Sequence, residues 1–159
     1  MFNFKTRNFT IGEVVHRAAD LPVTFTNCLL AGYAAGTIET TRAILNNALK
    51  KIIKIKIISG KRLGTYNKTL KKSTTNSFHD WGVGDEDKFN NVIKDKQLIF
   101  AIDFEPINAD DSRLTAGEMW LCYLALKGIL LGEFYYNIKD HKFHYSPARQ
   151  LNGDEFWNE

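Results

Sequence analysis

Cysteine is nearly missing from this chain. Cys28 and Cys122 stand far apart without a paired spacing, which excludes a disulfide framework and a four-cysteine zinc site. A reducing, cytoplasmic setting is the expectation. Proline is scarce as well, at three residues, and with a hydrophobic fraction of 44% and an aromatic fraction of 13% wholesale disorder is excluded. No apolar run suits a bilayer. Residues 21–38 carry no charge but include Pro22, Thr24, Thr26, Asn27, Gly32, Gly36 and Thr37, whereas a spanning helix needs about 20 mostly apolar residues. The opening MFNFKTRNFTIGE has Lys5 and Arg7 with no apolar run behind them, so it does not read as a secretory signal. No membrane partner is expected.

The most informative absence is of acid. Residues 40–79 hold ten lysines and arginines and no aspartate or glutamate, while residues 80–159 hold fifteen acidic side chains against eight basic ones. A net charge of +3 hides that division. Nine of the cations fall within residues 50–72, KKIIKIKIISGKRLGTYNKTLKK.

At 159 residues the chain suits one ordinary domain with a viable core. Thr10-Ile11-Gly12-Glu13 has the form of a capping box and predicts a helix over 10–19, ending before Leu21-Pro22. Thr26 or Asn27 can cap a second helix with Leu29, Leu30, Tyr33 and Ala34 on one side, broken or bent at Gly36-Thr37. A further run over 38–51 places Ile38, Ala43, Ile44, Ala48 and Leu49 on a stripe. From Ile53 to Ile57 the period becomes two, predicting a strand that turns at Ser59-Gly60 and returns over 62–70 as a basic β-ribbon. Residues 71–77, KKSTTNS, read as a linker, and 85–96 as a helix whose first turn gains from Asp85, Glu86 and Asp87. Residues 98–104 alternate as a strand, Thr115 and Glu118 open an apolar helix over 116–130, and a hairpin follows with Phe134, Tyr136 and Ile138 inward beside Phe143 and Tyr145. The expected class is α+β: a helical, basic first half with a ribbon, then a small antiparallel sheet covered by an apolar helix. It divides as lobes over 1–72 and 85–159 about a hinge at 73–84, or forms one continuous domain.

Lys50, Lys51, Lys54, Lys56, Lys61, Arg62, Tyr66, Lys68, Lys71 and Lys72 form the candidate anion-binding surface. A strand ribbon with lysines on its wet face can follow a nucleic-acid backbone, and about five phosphate contacts would give a log K against log salt slope of roughly −4 to −5. The bland alternative is a solvated face, or lysines paired with the acidic half of the same chain. Asp103 and Glu105 share one strand face and could hold a divalent cation. That D-x-E resembles the opening of a two-metal exonuclease site over the tripeptide alone, the 54 residues after Glu105 are few for the further sheet and carboxylates of such a site, and a charged, wet strand end is the favoured reading. Cys28, near a helix start, could with His79 and an aspartate make a thiol hydrolase; a buried cysteine is the commoner case, and Cys122 in MWLCYLALKG reads as core. His141 and His144 stand three apart in the hairpin, which puts them on opposite faces and argues against shared ligation. GVGDED lacks the third glycine and the lysine of a nucleotide loop.

The leading expectation is therefore binding without catalysis, metal or cofactor. Residues 50–72 would dock on nucleic acid with low sequence specificity, or else on an acidic protein surface, as an accessory or inhibitor protein of the kind that phages and other mobile elements encode. The contrasting class is an enzyme, either a metal-dependent nuclease through Asp103 and Glu105 or a thiol hydrolase through Cys28 and His79.

Overall fold

From Ile53 the alternation of isoleucine and lysine forms a strand, with Ile53 and Ile55 buried and Lys54 and Lys56 exposed. Its partner is distant in sequence. In a computed structural model that describes residues 5–15, 25–60, 79 and 100–147, the order is α1 (Ile11–Val14), α2 (Phe25–Leu49), β1 (Ile53–Ser59), β2 (Ile102–Asn108), α3 (Ala116–Lys127), β3 (Glu133–Asn137) and β4 (Lys142–Ser146). The strands form one antiparallel sheet in the order β1-β2-β4-β3. β1 thus pairs with β2, from Ile53 opposite Asn108 to Ile57 opposite Phe104. The returning strand at 62–70, the linker, the hinge at 73–84 and the helix at 85–96 lie outside the described residues.

Gly36 does not break α2, which runs unbroken through it. A mid-helix glycine costs only about 1 kcal/mol relative to alanine, and the Thr37 and Thr40 hydroxyls donate to the carbonyls of Tyr33 and Gly36 without leaving the ladder. The buried stripe is Leu30, Ala31, Ala34, Ala35, Ile38, Thr41 and Leu45. Leu29 and Tyr33, expected inward, stand about half exposed, and Ala43 and Ala48 are exposed too. α1 is shorter than expected, because Val15 is already extended (φ −129°, ψ 114°). Glu39 of α2 ties this N-terminal segment down, accepting from the Thr6 hydroxyl and from the Asn8 backbone and side-chain amides.

β2 begins later than the alternation suggested and runs through Pro106. Its pairing with β4 covers Ile102 to Phe104 only, so Pro106 lies where a missing N–H breaks no ladder on that side. Phe100, Ile102 and Phe104 face the helices, as their spacing predicted, and pack with Phe143. The hairpin adds Phe134, Tyr136 and Tyr145, with Tyr123 of α3 stacked on Phe134 at 5.7 Å. Ile138, expected inward, is 71% exposed because it belongs to the turn. Gly132, at φ +122°, admits no side chain, since a Cβ would fall 2.3 Å from the Ser146 carbonyl oxygen. Leu30, Ile38, Leu45 and Ile53 share one core with Phe100, Phe104, Met119 and Phe143. Both halves of the chain therefore build the same sheet and the same core. Among the described residues no helix is long and apolar enough to cross a membrane.

The α3 capping box forms as the sequence predicted: Thr115 Oγ1 accepts from the Glu118 N–H, and Glu118 Oε2 accepts from the Thr115 N–H. Lys51 donates to the same carboxylate. The Lys51 hydrogen bond first, and the Thr115 N–H second, bring the Glu118 carboxyl down to about 2 from its ordinary 4.5. A depressed carboxyl pKa stabilises the fold in full above the unfolded value and ceases to do so as pH falls through the folded one. Thermal unfolding should thus show Glu118 contributing about 1 kcal/mol, after screening by solvent, that disappears between pH 4.5 and about 2. Glu118→Gln should remove this part of the acid limb; an unchanged limb would mean the pair contributes nothing.

Candidate metal centre

The sheet has two unlike faces. Ile102 and Phe104 point to the helices, so the alternate residues Asp103 and Glu105 share the opposite face, as the D-x-E spacing predicted. Strand register then brings partners from elsewhere in the chain. His144 lies directly opposite Asp103, Tyr135 opposite His144, and Lys56 opposite Glu105. The Tyr135 ring stacks on His144 at 6.1 Å.

His144 Nδ1 donates to Asp103 Oδ1 at 2.7 Å, and His79 Nε2 approaches the same oxygen at 3.4 Å. The His79 Nδ1 atom is 2.9 Å from the Gly60 carbonyl oxygen, which can only accept, so Nδ1 carries a proton and Nε2 is the atom presented to Asp103. Burial opposes ionisation of Asp103. The electrostatic attraction of His79 and the hydrogen bonds from both imidazoles outweigh that and hold its carboxyl far below the usual range. All three residues are more than nine-tenths buried, and their donor atoms lie within 4.8 Å of one another. Once a metal displaces the proton between His144 Nδ1 and Asp103, two imidazole nitrogens and one ionised carboxylate would make, among the described residues, a three-donor set for a divalent transition metal. A backbone carbonyl on the far nitrogen of a histidine is the outer-shell contact that orients such a ligand.

One step along β2, Glu105 is buried as well, and its Oε1 makes no aligned hydrogen bond. Arg113 Nε stands 3.0 Å from that oxygen and His141 Nδ1 3.5 Å, both as ion-pair contacts without hydrogen-bond alignment. Arg113 is held there by the loop after β2, in which Asn108 donates to Ser112 Oγ and to the Arg113 carbonyl, and Arg113 bridges back to Ile107. His141 sits in the hairpin turn at φ +58°, braced by the Asn137 and Asp140 side chains. Strand parity does not govern a turn residue. His141 consequently reaches the same face as His144, contrary to the expectation of opposite faces, although the two serve different carboxylates.

Sequence reasoning named His79, Asp103 and Glu105, set His144 and His141 aside, and did not single out Arg113. The missing signal was register: an alternating strand at 102–108 beside a hairpin strand at 142–146 puts position 103 next to 144. Cys28 is partly exposed on α2 and is not in the donor group. Cys122 is core, its thiol pushed up to about 12 by burial and by the Glu118 charge. In the basic segment, Lys50 donates to Asn47, Lys51 pairs with Glu118, and Lys54 with Asp111, whereas Lys56 is exposed and makes no ion pair among the described residues. Lys61, Arg62, Tyr66, Lys68, Lys71 and Lys72 lie outside the described residues. No family model, curated protein or solved structure matches this chain.

Proposed function

We propose that the chain is a metal-dependent hydrolase with His79, Asp103 and His144 as ligands, acting on an anionic substrate in a reducing compartment. The supporting observation is the convergence of three buried donors, one of them with its far nitrogen already tied to a carbonyl. A buried carboxylate between two imidazoles contributes little to stability compared with apolar packing, because desolvation offsets the attraction. A buried carboxylate with a perturbed pKa, gathered with two imidazoles, is characteristic of functional sites. A divalent ion there supplies Lewis acidity and makes bound water a nucleophile near neutral pH. Metal-stripped protein should take up one equivalent of Zn²⁺ or Co²⁺ by equilibrium dialysis and discriminate against Mg²⁺, which prefers oxygen donors. At metal a hundredfold above Kd the stabilisation would be about 2.7 kcal/mol, or roughly 5–10 °C in Tm. Absence of uptake by any of Zn²⁺, Co²⁺ or Mn²⁺ defeats the proposal.

A second reading, docking on nucleic acid or an acidic protein surface without catalysis, draws on exposed Lys56 and on the nine cations of residues 50–72. Two of its four described lysines already neutralise acids of the second half, which weakens it. Fluorescently labelled RNA and DNA titrated at two salt concentrations test this reading. Steep salt dependence without turnover favours it, and no binding at low salt removes its nucleic-acid form.

A further inference from the structure

Resting on the metal-centre reading, we propose that the bond hydrolysed is a phosphodiester of a nucleic acid held by Lys56 and Arg113, and that Glu105 accepts the proton of the attacking water. Glu105 Oε1 is buried between Arg113 Nε at 3.0 Å and His141 Nδ1 at 3.5 Å without an aligned hydrogen bond to either, so a lone pair of this carboxylate remains to accept a proton. Asp103 and Glu105 project from one face two residues apart, about 7 Å along the strand. A water on a metal held by the first would thus lie on the face that also carries the second. The cations are arranged for an anion at that spot. Lys56 stands directly across the ladder from Glu105, exposed, and Arg113 is 69% exposed with Nε turned to the Glu105 carboxylate. The terminal nitrogens of Arg113 remain for a two-pronged grip on phosphate. Exposure also rises from the closed Asp103 and His144 end toward Lys56 and Arg113, which marks the side from which a polymer would enter.

In the step itself the water oxygen bonds to phosphorus as the ester P–O bond to the leaving hydroxyl breaks. Glu105 takes the water's proton and later loses it to solvent, the leaving oxygen takes a proton from solvent, and the products are a phosphomonoester and an alcohol. The test uses the full chain loaded with Zn²⁺ or Mn²⁺, with single-stranded RNA and DNA oligonucleotides, bis(p-nitrophenyl) phosphate and p-nitrophenyl acetate as probes. Phosphodiester cleavage is expected, with Glu105→Gln lowering kcat by about 10²–10⁴-fold while the Co²⁺ visible spectrum stays unchanged. Lys56→Ala and Arg113→Ala should raise KM for oligonucleotides by a larger factor than for the small phosphodiester, which spans less of the cationic surface. A metal-loaded protein that leaves every phosphodiester intact, cleaves only the acetate, or keeps full kcat as Glu105→Gln overturns this inference and leaves the metal centre standing. Absence of metal uptake overturns both.

Discussion

Asp103→Asn is expected to abolish metal uptake and to destabilise the metal-free protein by about 3 kcal/mol, the lower end for removing one partner of a buried ionic group. Both imidazoles approach the same oxygen, Asp103 Oδ1. Asparagine keeps the volume and one acceptor oxygen but not the charge, so the anionic ligand and its attraction to both imidazoles are lost together. Loss of a mere outer-shell contact costs about 10–100-fold in metal affinity, so loss of the one carboxylate ligand should exceed that range. Equilibrium dialysis against Zn²⁺ and thermal unfolding after chelation measure the two effects separately. Glu105→Gln is the control, because it alters the same sheet face without touching the donor set. An Asp103→Asn protein that binds zinc as tightly as its parent would show that the imidazoles and Asp103 do not form a metal site.

The second large effect is expected at Gly60. A Cβ there would lie 2.0 Å from the Val14 carbonyl oxygen and 2.7 Å from its carbon, both backbone atoms of a fully buried residue. Gly60→Ala must therefore separate the end of β1 from α1, at a cost of about 1–3 kcal/mol for overpacking. The same displacement moves the carbonyl that accepts from His79 Nδ1. Zinc affinity should fall by about 10–100-fold, as for other losses of outer-shell support. Gly36→Ala is the contrast, since no atom stands within 4 Å of its Cβ and the helix gains up to about 1 kcal/mol. Denaturant unfolding with zinc titration on both variants checks the pair. Equal behaviour of Gly60→Ala and the parent would show that the close approach carries neither stability nor ligand placement.

Elements whose determinants are local were legible from residue order. The Thr115-Glu118 box, the period-two run from Ile53 and the inward set Phe100, Ile102 and Phe104 depend on neighbours within a few positions, and each forms as its spacing predicts. The break at Gly36 failed for a reason of degree: one glycine costs a helix about 1 kcal/mol, which the buried stripe of α2 readily outweighs. The inward assignment of Ile138 failed because hairpin parity ends where the turn begins. The two-residue spacing of Asp103 and Glu105 announced a shared face, but not what stands opposite.

Residue order by itself determined the α+β class, the placement of cations ahead of acids, and the presence of a carboxylate pair on one strand face. It could not determine that β1 pairs with β2 across residues 60–101, because strand pairing joins segments whose separation leaves no periodic trace. That pairing, with β4 on the other side of β2, brings Lys56 to Glu105 and His144 to Asp103. Tertiary structure also spent two of the lysines on acids of the far half, through contacts of Lys51 with Glu118 and of Lys54 with Asp111. Charge is written along the chain, but whether it remains available is decided by which carboxylate the fold carries within about 4 Å of it.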